Sequence, residues 1–439
     1  MSVYFAFLMF PVLAVFVFSG IPVAFSLLST ALVFGMFRFG DVAIVQVAAS
    51  LERLTTSYAV AAIPLFVLMG AIIESSGIAA RIFDNIYVLT RRLPGGVAVG
   101  AIILCTIFAA ASGITGATES IVGILAVPAM MRYRYDNRLI SGTICAGGSL
   151  GTIIPPSVLA IILAPVAGVQ VGDLMAGIAV PGLILSVAYI VFIIVSVWLF
   201  PALAPRENGP RQAGLLKLLF QTTLSLLPPI SLIVAVLGSI MFGIATTTEA
   251  AAVGCLGAVF LAATNRRLTL KMLWDSAGRA MIVSVAIVSI LFGGMVFSAV
   301  FIASGGMSSA QTILLGFDVS PGWLLAIVLG LGFMLGMVLD QISIIFIVIP
   351  IATPILKMLG IDPLYFCVLF MLILQTSYLT PPLAPAIFYF RAISPPEIKL
   401  TQMYAGVVPF IAIQILLTVF VAMYPELATY LPSILYPLR

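Results

Sequence analysis

The sequence predicts an all-α polytopic membrane protein of two inverted-topology repeats, each with a re-entrant helical hairpin and a Pro-Pro-broken transmembrane helix. Three observations lead there. Of 439 residues, 63% are hydrophobic and only 8% charged, whereas soluble domains carry about 25% charged residues. Pro155-Pro156 and Pro381-Pro382 interrupt two apolar runs, and proline removes a backbone donor while clashing with the preceding turn. The chain also matches itself at offsets of 223 to 229 residues, the mark of an internal duplication.

The self-match runs in order along both halves. Gly20-Ile21 lies over Gly243-Ile244, Ser76-Gly77 over Gly305-Gly306 and Pro94-Gly95 over Pro321-Gly322. Pro128 falls on Pro354, Asp136 on Asp362, one proline pair on the other, and Pro181 on Pro409. The chain therefore divides into a first repeat (1–200), a linker (201–217) and a second repeat (218–439). Cytoplasmic loops collect Lys and Arg. Arg91, Arg92, Arg132, Arg134 and Arg138 bracket the segment 97–130, while Asp318, Lys357 and Asp362 bracket its counterpart 323–356. Arg206, Arg211 and Lys217 mark the linker as cytoplasmic, and Arg266, Arg267 and Lys271 the next inside loop. The two brackets thus face opposite sides, with both chain ends outside.

The expected elements follow in order. Residues 3–18 carry no basic segment and no clear cleavage site, so they read as a first membrane helix rather than a signal peptide. Helices are expected over 21–37, 59–78, 139–166 (broken) and 175–199, then over 218–241, 244–263, 281–303, 364–390 (broken) and 400–422. Segments 43–58 and 266–280 carry charges (Glu52, Arg53, Lys271, Asp275, Arg279) and read as interfacial helices. Segments 97–130 and 323–356 each begin and end on one side. Two arms of about 15 residues reach roughly 22 Å, short of a hydrocarbon core of about 30 Å, which describes a re-entrant hairpin. The total is ten crossings and two hairpins.

Helix breaks and hairpin tips leave helix ends inside the membrane, where bare backbone is tolerated only if buried in protein or lining a polar cavity. N-terminal ends suit a carboxylate; unwound carbonyls and C-terminal ends suit a small cation. Oxygen-bearing side chains gather at these places, and hard oxygen ligands without a dense carboxylate cage fit Na⁺ better than a divalent ion. One expected Na⁺ site comprises Ser112, Gly113, Thr115, Thr118, Thr152 and Pro155; the other Asp340, Ser343, Thr376, Ser377 and Thr380. Glu119, Ser120, Ser157 and Gln341 are the candidates for touching substrate. The plainer readings are that the hydroxyls serve close helix packing and that Glu119 and Asp340 cap half-helices. Either carboxylate is also a candidate proton carrier. A channel and an assembly subunit are the remaining alternatives. Thr246 with Glu249 has the form of a capping box.

Several classes are excluded. The chain has no histidine, and Cys105, Cys145, Cys255 and Cys367 are scattered without metal-ligand spacing, so zinc, haem and Cys/His or Ser/His/Asp catalysis are unsupported. None of the four lysines precedes Ser or Thr, so no nucleotide-binding P-loop exists. The net charge of +4 gives no support for nucleic-acid binding. The sequence reads as a transport protein, not an enzyme, with energy drawn from an ion gradient or another subunit.

The motifs Gly148-Ser149-Leu150-Gly151-Thr152-Ile153-Ile154-Pro155-Pro156-Ser157, Thr248-Glu249-Ala250-Ala251-Ala252, Gly360-Ile361-Asp362-Pro363 and Leu379-Thr380-Pro381-Pro382 are similar to hallmarks of one family. Over nearly its whole length the chain resembles the large membrane subunit of tripartite ATP-independent periplasmic (TRAP) transporters. The resemblance implies an elevator-type secondary transporter of the inner membrane. A mobile unit holding both hairpins and both broken helices would move organic acids across a scaffold formed from 1–92 and 218–316, driven by Na⁺. It also implies two partners, a small four-helix membrane subunit and a periplasmic substrate-binding protein. Gly116-Ala117-Thr118-Glu119-Ser120 and Gln375-Thr376-Ser377-Tyr378 look closest to the subgroup labelled for mannitol and chloroaromatic compounds, which includes 2-oxo-acid systems.

Overall fold

Apolar side chains on nearly every helical turn leave no strand-like alternation, and the computed structural model is correspondingly helical throughout its described residues, 5–113, 115–205, 215–316 and 320–436. The first half contains α1 (Met9–Phe18), α2 (Val23–Phe39), α3 (Val42–Thr56), α4 (Tyr58–Ser75), α5 (Ile78–Thr90), α6 (Gly96–Ser112) and α7 (Thr115–Arg132). It continues with α8 (Asn137–Ser149), a short tight turn Leu150–Thr152, α9 (Val158–Ala167) and α10 (Val171–Leu199). The second half contains α11 (Leu215–Met241), α12 (Thr247–Thr264), α13 (Leu270–Ala303), α14 (Gly306–Gly316), α15 (Pro321–Gly336) and α16 (Gln341–Met358). Then come α17 (Pro363–Leu379), α18 (Pro385–Ile393), α19 (Leu400–Met423) and α20 (Glu426–Leu435).

Both proline pairs break their helices where expected, between α8 and α9 and between α17 and α18. Each Pro-Pro bond is cis. The start of each broken helix is capped alike: Asp136 accepts from the Arg138 backbone at 2.8 Å, and Asp362 from that of Leu364 at 2.9 Å. The Thr246–Glu249 capping box forms at the head of α12.

Three expectations need correction. Residues 266–280 and 281–303 are not an interfacial helix followed by a crossing; α13 runs unbroken for 34 residues. Lys271, Asp275 and Arg279 recur every fourth residue and so share one helical face, and no proline interrupts them. In the first half the equivalent stretch does break, at Ser57, which takes an extended conformation between α3 and α4. The hairpin arms are 16 to 18 residues long, about 24–27 Å at 1.5 Å per residue, so arm length alone separates a hairpin from a crossing less sharply than expected. Finally, α5, α14 and α20 were absent from the expected map. In α5 the residues Ile78, Ile82 and Ile86 are buried at the four-residue spacing of one helical face. A search for 20-residue apolar runs passes over such a helix. Ile114 at the first tip, Arg206 and Arg211 of the linker, and Asp318 lie outside the described residues.

The helices pack in reciprocal pairs. α2 lies against α13 while α4 lies against α12; α7 packs on α18 while α16 packs on α9; α8 packs on α19 while α17 packs on α10. Each pair takes one helix from each half, so the halves interlock. At the α8–α19 crossing, a Cβ on Gly142 would lie 2.2 Å from the carbonyl oxygen of Gly406, so the backbones meet directly, as small residues allow in membrane packing.

Candidate ion and substrate site

α6 ends at Gly113, whose φ of 63° is natural only for glycine. That turn brings the two arms of the first hairpin together, with the Ser112 and Thr118 hydroxyls 3.2 Å apart. The tip also touches the first break: the Val158 amide donates to the Gly113 carbonyl at 3.3 Å. A Cβ on Gly113 would lie 2.6 Å from the Pro156 carbonyl oxygen. Within the break, Ser157 Oγ donates to the Thr152 carbonyl at 2.7 Å and Thr152 Oγ1 to the Ser149 carbonyl at 2.9 Å.

The second tip is built differently. Asp340 is the N-cap of α16, accepting from the Ile342 and Ser343 backbones at 3.1 Å each and from the Ser343 hydroxyl. Both carboxylate oxygens are therefore engaged. Gln341 Nε2 donates to the Leu374 carbonyl at 3.1 Å, and Gly336 leaves room for Ser377, whose Oγ would sit 2.1 Å from an added Cβ. Thr376, Ser377 and Thr380 donate to the carbonyls of Leu372, Leu374 and Thr376 at 2.8, 2.9 and 2.7 Å.

One pattern unites these hydroxyls. Ser112, Ser120, Thr152, Ser157, Thr376, Ser377 and Thr380 all give their proton to a nearby carbonyl. Such back-bonding is common in helices. It leaves each oxygen presenting only lone pairs, the electronic requirement for holding a hard cation.

The structure brings Ser112, Gly113 and Thr118 together against Pro156 and Val158, and Asp340, Gln341 and Ser343 against the end of α17. The Thr115 side chain lies beside the hydroxyl of Tyr378. Glu119 is enclosed completely, with 0% exposure, beneath the first tip. Gly148 lacks the Cβ that would stand 1.8 Å from Glu119 Cγ, and Tyr378 donates to Glu119 Oε2 at 3.4 Å. Oε1 has no partner among the described residues. The sequence reading missed Tyr378 and Gly148 as companions of Glu119, and also missed a polar group made by Ser149, Gln375 and Gln414. Gln375 and Gln414 donate to Ser149 Oγ at 3.2 and 3.4 Å. Ser149 and Gln375 stand 226 residues apart, the spacing of the proline pairs, and that register could have found them.

The family model of the tripartite ATP-independent periplasmic transporter, DctM component, matches residues 10–427. The chain belongs to the DctM family. It is 29% identical over 396 residues to the C4-dicarboxylate TRAP transporter large permease protein DctM of Pseudomonas aeruginosa, covering 88% of this chain and 89% of that one. It is 30% identical over 414 residues to the 2,3-diketo-L-gulonate TRAP transporter large permease protein YiaN of Escherichia coli, covering 93% and 94%. Among solved structures, the Alcanivorax borkumensis YdaH transporter superposes with a TM-score of 0.63 at 14% identity, over 93% of this chain and 98% of that one; this likeness concerns the fold alone. As a DctM component the chain is a multi-pass inner-membrane permease subunit and not an enzyme. It is a secondary transporter for organic acids that depends on a substrate-binding protein, in a family that usually adds a small membrane subunit.

Proposed function

We propose that this DctM component imports an organic acid in symport with Na⁺, with its two repeats inserted in opposite orientations and the hairpin-bearing unit moving as an elevator. The observation that carries the Na⁺ reading is the arrangement of proton-inward hydroxyls at the tips and breaks, beside a carboxylate at Asp340. Ser112, Gly113, Thr115, Thr118, Thr152 and Pro155 would serve one ion, and Asp340, Ser343, Thr376, Ser377 and Thr380 the other. The reciprocal pairing of helices from the two halves supports the duplicated architecture, and the asymmetric placement of arginines supports its inversion. In that orientation both termini are periplasmic, and the small four-helix subunit would brace the scaffold. The substrate class of the 2-oxo-acid subgroup is part of the same proposal.

A second reading has one observation in its favour. Glu119 is a buried carboxyl whose Oε1 is unpartnered among the described residues and whose Oε2 accepts from Tyr378. If a proton is carried as well, Glu119 is its site rather than Asp340, whose oxygens are engaged in capping. The test is uptake into vesicles containing the permease, its small subunit and its capture protein, under imposed Na⁺ or pH gradients. Accumulation that follows the Na⁺ gradient supports the first reading; accumulation that follows only the pH gradient replaces it with the second.

A further inference from the structure

A cavity of about 230 Å³ lies between α3, α4 and α13 on one side and α9 and α16 on the other. It is separate from the tips and from Glu119. Its walls are Ile161 and Ile162 from α9, Leu291 and Met295 from α13, Phe346 from α16 and Ile63 from α4, all apolar. Ser57 and Arg53 are the polar residues among those that line it, and Arg53 is the only charged one among the described residues. Among the described residues no carboxylate lines it; Glu52, next to Arg53 in sequence, is exposed and is not part of the wall. The helices that bound the cavity are those the elevator proposal slides past each other, and in the proposed orientation α9 runs outward from the first break to Pro165 and Val166, which also line it.

We propose that this cavity is the outer receiving site for substrate and that it takes a monocarboxylate with an apolar body. Arg53 and Ser57 hold the single carboxylate, and the Ile161–Ile162–Leu291–Phe346 wall holds an aliphatic or aromatic tail. This rests on the reading of the chain as an organic-acid importer and narrows its substrate class. The chemistry selects against the alternatives. A second carboxylate would sit against apolar wall without a partner, and burying an unpaired charge is costly. A polyhydroxylated acid would leave its hydroxyls unpaired in the same way. A guanidinium offers two parallel donors to one carboxylate, which a small apolar pocket with few polar groups uses to orient its ligand.

The test is calorimetric titration of the purified permease with its small subunit, using 4-methylpentanoate, succinate and 4-methylpentan-1-ol. The expected order is 4-methylpentanoate tighter than either of the others by tenfold or more. Arg53→Gln should weaken 4-methylpentanoate at least tenfold, while Arg53→Lys, which keeps the charge but replaces the fork with a point charge, should weaken it less than Arg53→Gln does. Ile162→Trp, which fills the cavity, should also abolish binding, and circular dichroism with the thermal midpoint would show that each variant is folded. Succinate binding as tightly as 4-methylpentanoate, no binding of 4-methylpentanoate, or an Arg53→Gln variant with unchanged affinity would each overturn the proposal. Failure here is distinct from failure of the Na⁺ reading: Na⁺-driven uptake that ignores Arg53→Gln sinks this site alone, and Arg53-dependent binding without Na⁺-driven uptake sinks that reading alone.

Discussion

Gln375 donates its side-chain amide to Ser149 Oγ at 3.2 Å across 226 residues of sequence, the same interval that separates Pro155 from Pro381. The two broken helices therefore touch at equivalent positions, just before each break. Gln414 of α19 donates to the same hydroxyl at 3.4 Å, and Ser149 passes its own proton to the Ala146 carbonyl at 2.8 Å. All three side chains are fully buried.

Removing that hydroxyl orphans two amides at once. Ser149→Ala should destabilise the protein by about 1–3 kcal/mol, the range for a buried donor left without a partner. In a Gln375→Leu background the same change should be smaller by about 1 kcal/mol, because one orphan no longer exists. A double-mutant cycle on thermal midpoints in detergent reads the difference; strictly additive effects would mean that the contact carries no energy.

The first tip makes a sharper demand on its backbone. Gly113→Ala forces a left-handed residue to carry a side chain, costing about 1–2 kcal/mol from conformation alone, and its Cβ meets the Pro156 carbonyl. The variant should insert in the membrane, unfold at a lower temperature and lose most uptake. Normal uptake would show that the tip and the break need not stay in contact.

Much of this was legible beforehand. The proline pairs and the Thr246–Glu249 capping box are local chemistry, and each acts on its own helix in the way its sequence neighbours dictate. The hairpin tips were legible because glycine and hydroxyl residues cluster there. The continuity of α13 was not, because charged residues recurring every fourth position read as a boundary in a hydropathy pattern yet lie along one helical face. The company kept by Glu119 was not legible either: Gly148 and Tyr378 reach it from other helices, and only packing brings them together. The cavity beside Arg53 is a property of five helices and of no single segment.

Glu119 and Gly148 form a size-complementary pair. Gly148→Ala should be strongly destabilising, since its Cβ would overlap Glu119 Cγ and overpacking typically costs about 1–3 kcal/mol. Adding Glu119→Ala should recover stability by vacating the space. Thermal midpoints of the two single variants and the double variant decide this, and a double variant no better than Gly148→Ala would refute the packing account. Uptake by the double variant then shows whether the carboxyl is needed for more than fit.

Asp340 has a measurable structural role apart from any ion. Asp340→Ala removes the cap of α16 and should cost about 0.5–2 kcal/mol. Asp340→Asn keeps an acceptor for the Ile342 and Ser343 amides and should lose much less. If Asp340 also serves Na⁺, Asp340→Asn should raise the Na⁺ concentration for half-maximal uptake while leaving the thermal midpoint near the parent value. Equal thermal losses in both variants would contradict the capping assignment.

The most direct measurement is initial uptake against external Na⁺ in vesicles holding the complete three-part system, for the parent, Thr152→Ala and Thr380→Ala. The account predicts saturable Na⁺ dependence in the parent and a shift to several-fold higher Na⁺ in both variants, with membrane insertion unchanged. Uptake by the parent that proceeds equally well without Na⁺, or two variants whose Na⁺ dependence matches the parent's, would contradict it.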